Sequence, residues 1–150
     1  MKLTLRSYWA LKFMLYLALN YEEGIIPIKR ASKALGISEK YLEQLVIPLK
    51  KEGLIRSSRG ASGGYQLNRP PVNITVWEII TLFEDLSSSV EKNSDTQLEK
   101  GSKDNELTQV IEDMYNDVQV EIKKQFEGIN LNKLCEDYHN KRQDGIMYYI

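Results

Sequence analysis

The chain of 150 residues is 42% hydrophobic and 27% charged, which is ordinary for a folded globular domain. One cysteine permits no internal disulfide, and one cysteine with one histidine cannot supply the usual ligand set of a zinc or iron–sulfur site within one chain. The net charge of −1 conceals a division: residues 1–71 carry twelve Lys and Arg against five Asp and Glu (+7), while residues 72–150 carry eight against sixteen (−8), so one end is suited to meet a polyanion.

No apolar run approaches the roughly 18 residues of a membrane span. The N-terminal stretch MKLTLRSYWALKFMLYLALNY is apolar, but Lys and Arg continue through it and no small-residue cleavage site follows. A signal peptide is therefore not expected, and the expected compartment is the cytoplasm.

In chain order, residues 5–21 place apolar side chains at helical spacing through Leu5, Tyr8, Trp9, Leu11, Met14, Leu15, Ala18 and Leu19, and Gly24 ends that helix. GIIPI is an extended link. IKRASKAL, residues 28–35, fits two helical turns stopped by Gly36. Ser38 is a natural N-cap for EKYLEQLVIPLKKE, closed by Gly53, with Leu42, Leu45, Val46 and Leu49 as its buried stripe. Lys40, Tyr41, Glu43, Gln44 and Lys51 are left on or near the outward side. Pro48 falls within this helix and predicts a kink.

LIRSS and YQLNR read as two short strands around a glycine-rich tip, and Pro70-Pro71 break the chain. Thr75 and Glu78 have capping-box spacing at the start of a helix to about Leu86. Residues 87–105 form a polar stretch with almost nothing to bury, expected as a flexible loop. A long amphipathic helix follows, with Leu107, Ile111, Met114, Val118, Ile122 and Phe126 on one face. Its simplest partner is its own copy in a second subunit. A short helix over Leu131–Tyr138 and a tail ending IMYYI complete the chain.

Three helices and a hairpin, with the second and third helices joined by a tight glycine turn, give the order of a winged helix-turn-helix. The expected fold is mainly α with a small β-hairpin wing: a DNA-binding domain over residues 1–86, the loop 87–105, and a dimerisation helix and tail over 106–150. The third helix would present its first turns to base edges. Gln44 can bond adenine bidentately, Lys40 can reach guanine or phosphate, and Glu43 can accept from a cytosine amino group. Tyr41 offers a hydroxyl to phosphate and a ring to a thymine methyl. At the wing, Gly60, Gly63 and Gly64 would let the tip approach a phosphate backbone without clash, and Arg59 suits the narrow minor groove. Lys2, Thr4 and Arg6 are placed for phosphate contacts.

GASGG, residues 60–64, is neither a dinucleotide nor a nucleoside-triphosphate loop: it is not GxGxxG, no Lys-Ser/Thr follows, and it lies between strands. Cys135 and His139 have no partner marked by spacing, so no catalytic set and no cofactor are expected, and the chain is not expected to be an enzyme. A protein-interaction module without DNA binding is a separate alternative.

The segment GISEKYLEQLVIPLKKEGLIRSSRGASGGYQLNRPPVNITVWEII resembles the signature of the Rrf-type winged-helix transcription regulators, closely over residues 1–86 and more loosely beyond. The resemblance implies a homodimer crossed through the long helix, binding imperfectly palindromic promoter DNA as a repressor. It also implies a reading surface of Ser38, Lys40, Tyr41, Glu43 and Gln44, and a wing of Arg59, Gly60, Ser62, Gly63 and Gly64. Many members hold an iron–sulfur cluster on three cysteines before the long helix; residues 87–105 contain none here, so that role is not carried over. YLEQLV-x-PL, RGA-x-GGY and the terminal aromatic-aromatic-Ile are similar to the branch that represses cysteine metabolism. That branch implies a partner, cysteine synthase, which takes proteins ending in isoleucine into its active site, here through Tyr149 and Ile150. The alternative signals are thiol oxidation at Cys135 or a small ligand.

Overall fold

The computed structural model describes residues 2–86 and 105–147. The polar stretch expected as a loop, save Asn105, and the tail residues Tyr149 and Ile150 lie outside the described residues. Helix α1 (Leu5–Leu19) is the hub, packing against helices α2 (Ile28–Leu35), α3 (Glu39–Lys51), α4 (Val76–Ile80) and α6 (Leu131–Met147) and the second strand of the hairpin β1 (Ile55–Ser58) and β2 (Gly64–Leu67). Helix α5 (Asn105–Glu127) lies between α4 and α6 in sequence.

Helix α1 buries Ser7, Ala10, Phe13, Met14, Leu17 and Ala18. The stripe expected from the sequence holds only in part: Met14 and Ala18 are buried and Trp9 and Leu11 pack against the core, but Leu5 and Tyr8 are exposed. The helix is apolar nearly all round, so its period alone could not say which side faces inward. Thr4 caps it, accepting from the Ser7 N–H at 3.2 Å.

The tight turn between α2 and α3 is made by Gly36, whose left-handed backbone (φ 71°) returns its N–H to the Ser32 carbonyl. Ser38 then caps α3 through Oγ, which accepts from the Tyr41 N–H at 3.1 Å. Leu42, Leu45, Val46 and Leu49 are buried as the spacing predicts, and α3 continues from Glu39 to Lys51 with Pro48 inside it. Pro48 removes one backbone bond without ending the helix, and Leu49 one residue later anchors the last turn in the core.

The hairpin is antiparallel, with Ile55 opposite Leu67 and Ser58 opposite Gly64. The link before α2 adds a third edge to it, since Ile26 N–H donates to the Tyr65 carbonyl (2.8 Å) and Tyr65 N–H donates to that of Ile26 (2.9 Å). Phe13 meets the Tyr65 ring edge-on at 6.4 Å, fastening the wing to α1.

The expected Thr75–Glu78 capping box is present. Its helix stops at Ile80, short of the expected Leu86, and turns carry the chain on. In the other direction, the helix expected over Leu131–Tyr138 runs on to Met147: Lys141, Arg142 and Gln143 are good helix formers, and no proline stops it, although Asp144 and Gly145 are poor ones. The segment before α6 returns to the first half of the chain. Val76 N–H donates to the Ile129 carbonyl, Leu131 N–H donates to that of Ile74, and Leu131 is fully buried in the main core.

Helix α5 spans 23 residues, about 34 Å at the standard rise. Among the described residues, none of α5's is buried. Leu107, Ile111, Met114 and Val118 stand about half exposed or more, and Ile122 and Phe126 are half-buried.

Candidate nucleic-acid interface

At 100° per residue, the buried side of α3 fixes what is left outside. Lys40, Glu43 and Gln44 are exposed, as expected. Tyr41 is not on the crest: it is half-buried, with its ring packed against the core. Its position, one residue before Leu42, draws it inward.

One edge of α3 faces the wing. Burial first, and then the negative charge of Glu43, raise the Tyr65 hydroxyl above its ordinary pKa, which places the Glu43 carboxylate in the electrostatic reach of strand β2. Lys50, seven residues after Glu43 and so on the same edge, lines a polar groove of about 390 Å³ with Ile28, Ser57, Arg59 and Gly60. Lys50 was not among the residues expected from the sequence; its i+7 relation to Glu43 is the signal that would have found it. The groove brings a lysine of the third helix and the arginine of the wing to one surface.

The glycines of the wing divide by cause. Gly60 has a left-handed backbone (φ 101°) and open space around it, as a tip that approaches a backbone requires. Gly63 and Gly64 are needed by the fold itself. A Cβ on Gly63 would sit 2.5 Å from the Ser58 carbonyl oxygen, and one on Gly64 would overlap the Ile26 carbonyl. Of the three expected to keep the tip clear, Gly60 has open space around it, while Gly63 and Gly64 also let the hairpin close on itself and on the Ile26 link. Arg59 and Ser62 are exposed.

At the start of α1, Lys2 is exposed. Thr4 is already engaged: its hydroxyl caps the helix and its N–H donates to Glu84 Oε1 at 2.7 Å. Its hydroxyl also donates to Ser7 Oγ at 3.1 Å, so a phosphate would have to displace that bond. Arg6 is exposed with its guanidinium 5.6 Å from the centre of the Phe83 ring, a cation–π contact that holds it beside the N-terminus of α1.

A model of the Rrf2 family, described as iron-dependent transcriptional regulators, matches residues 3–137. The chain belongs to the Rrf2 family. It is 32% identical over 150 residues to the helix-turn-helix regulator CymR of Bacillus subtilis, covering all of both chains. It is 34% identical over 137 residues to the regulator IscR of Aliivibrio salmonicida, covering 91% of this chain and 79% of that one. The solved structure of CymR, the global cysteine regulator of B. subtilis, superposes with a TM-score of 0.72 at 31% identity, covering 91% of this chain and 97% of that one. This Rrf2 member is thus a DNA-binding transcriptional regulator of winged-helix fold, not an enzyme.

The iron of the family's description has no home on these residues. The sequence has one cysteine, and among the described residues no group of three or more His, Cys, Asp or Glu is placed to hold a metal. Cys135 is half-buried on α6, and burial, with Glu136 adding to it, pushes its thiol pKa up. Both effects disfavour the thiolate, the form on which thiol reactivity depends. His139 is exposed one turn on, lining the same cleft between α1 and α6 as Cys135. Among the described residues no helix is long and apolar enough to cross a membrane.

Proposed function

We propose that this Rrf2 member is a homodimeric repressor of the cytoplasm that binds an imperfectly palindromic promoter. Each subunit lays the exposed side of α3, with Lys40, Glu43 and Gln44, in a major groove, while Arg59 at the wing reaches the adjacent minor groove and Lys2 and Arg6 hold phosphates. In this reading residues 1–86 are the DNA-binding unit, and α5 pairs the subunits through Leu107, Ile111, Met114, Val118, Ile122 and Phe126. The observation that carries it is the shared groove of Lys50 and Arg59, which puts the third helix and the wing on one basic surface.

The test is gel-shift titration on promoter fragments across salt. Affinity should fall about a thousandfold between 50 and 200 mM salt if six phosphates are neutralised, and Gln44→Ala or Arg59→Ala should each cost about 1–3 kcal/mol. Binding that ignores salt and both substitutions would refute the docking.

Similarity to CymR over the whole chain supports a finer reading, that the regulated genes serve cysteine metabolism and that Tyr149 and Ile150 dock into cysteine synthase. Pull-down of purified cysteine synthase by full-length protein, but not by protein lacking the last two residues, is the expected result. Equal capture by both removes the tail from the reading.

A further inference from the structure

Leu42, Leu45, Val46 and Leu49 define the buried side of α3. Directly opposite, Lys40, Gln44, Ile47 and Lys51 form the crest, at i, i+4, i+7 and i+11. Ile47 is the odd member. It is 67% exposed and belongs neither to the buried core nor to the apolar side chains packed against it. Isoleucine gives an exposed helix position no advantage in propensity. What it does give is stiffness: a β-branched side chain followed by Pro48 has few conformations open to it. A rigid apolar knob thus stands in a row of charged and amide groups.

Lys40, Glu43, Gln44 and Ile47 together make an i, i+3, i+4, i+7 set, the spacing by which one edge of a helix meets successive base pairs. Ile47 lies about 10 Å along the axis from Lys40, or about three base-pair steps. The apolar group that bases offer in the major groove is the 5-methyl of thymine.

We propose that Ile47 reads DNA sequence by packing against a thymine methyl, so that the operator carries a thymine at the matching position of each half-site. This rests on the docking of α3 proposed above.

The experiment uses the full-length chain to enrich binding sites from a randomised duplex pool. Each thymine of the enriched site is then replaced by deoxyuridine, which lacks only the methyl. At one thymine per half-site, binding by wild type should weaken about fourfold, the worth of one buried methyl-sized group. Ile47→Ala should bind the thymine and deoxyuridine duplexes alike. Each comparison sets two duplexes against one protein, so a change in folded fraction cancels. If Ile47→Ala shows the same deoxyuridine losses as wild type, or wild type shows none, the inference about Ile47 is wrong. The docking survives either result as long as Gln44→Ala and Arg59→Ala still weaken binding to the enriched duplex. If those two bind as wild type does, the docking itself fails and Ile47 falls with it.

Discussion

The first 83 residues and helix α5 solve the same problem in opposite ways. In the first region α1, α3, the hairpin and α4 enclose Phe13, Met14, Leu42, Leu45, Leu49, Ile74 and Ile79 almost completely. Helix α5 has an apolar face as regular as any of these, yet it leaves Leu107, Ile111, Met114 and Val118 about half in water or more. Its lower half adds a shallow apolar hollow lined by Val118, Ile122 and Phe126. A surface of that length and regularity on one helix is more than scattered apolar exposure. The contrast teaches that apolar periodicity reports a demand for burial without saying which chain meets it.

The largest expected effect breaks that contrast on the α5 side. Met114→Asp or Val118→Asp should convert the proposed dimer to a folded monomer, read by sedimentation. Operator affinity should drop by about a hundredfold or more, because two half-sites are no longer engaged together. The melting of the first region should hardly move. Dimers that persist in both variants would show that the exposed face of α5 has another use.

Leu131 sharpens the comparison from the other direction. It follows α5 in sequence but belongs to the core of the first region, and its N–H pairs with the Ile74 carbonyl. Leu131→Ala should destabilise that core by about 2–5 kcal/mol in denaturant melts. A cost within error would mean that α6 docks without contributing to the fold.

Within the wing, Gly64→Ala should cost about 3 kcal/mol, at the upper end of overpacking, because the added carbon overlaps the Ile26 carbonyl. Gly60→Ala meets no neighbour and carries only the left-handed backbone penalty, about 1–2 kcal/mol. Chemical denaturation of both variants checks the order; equal losses would contradict the separation of tip from base.

Much of this was legible in the sequence, for reasons that differ by element. Helix α3 was clear because a serine cap, a four-residue apolar stripe and a closing glycine all agree. The capping box at Thr75 was equally local. The inward face of α1 was hidden because apolar residues surround the helix, so that only its neighbours choose between Leu5 and Ala10. The double role of the wing glycines was also hidden, since the Ile26 link that crowds Gly64 lies 38 residues earlier in the chain. Lys50 was overlooked for a related cause: it acts with Arg59 across the groove, and that proximity is tertiary.

The smallest effect lies within the first region, where the wing leads into α4. Glu78 is partly buried, which raises its pKa, but the Thr75 N–H and then the Arg69 guanidinium (Nη2 to Oε1, 2.7 Å) outweigh burial and leave it below the ordinary glutamate value of 4.5. Arg69 also donates to the Asn73 carbonyl at 3.0 Å, so the ion pair ties the wing's exit to the start of α4. Because the folded value is the lower one, unfolding in acid takes up a proton. The stabilisation is complete above the unfolded value and disappears as pH falls through the folded one. A third of the Glu78 side chain is exposed, which limits the pair to about 0.5 kcal/mol. Thermal melts of Glu78→Gln and wild type should therefore differ slightly at pH 7 and converge well below pH 4.5. A gap that stays constant into acid would assign the loss to packing rather than to charge.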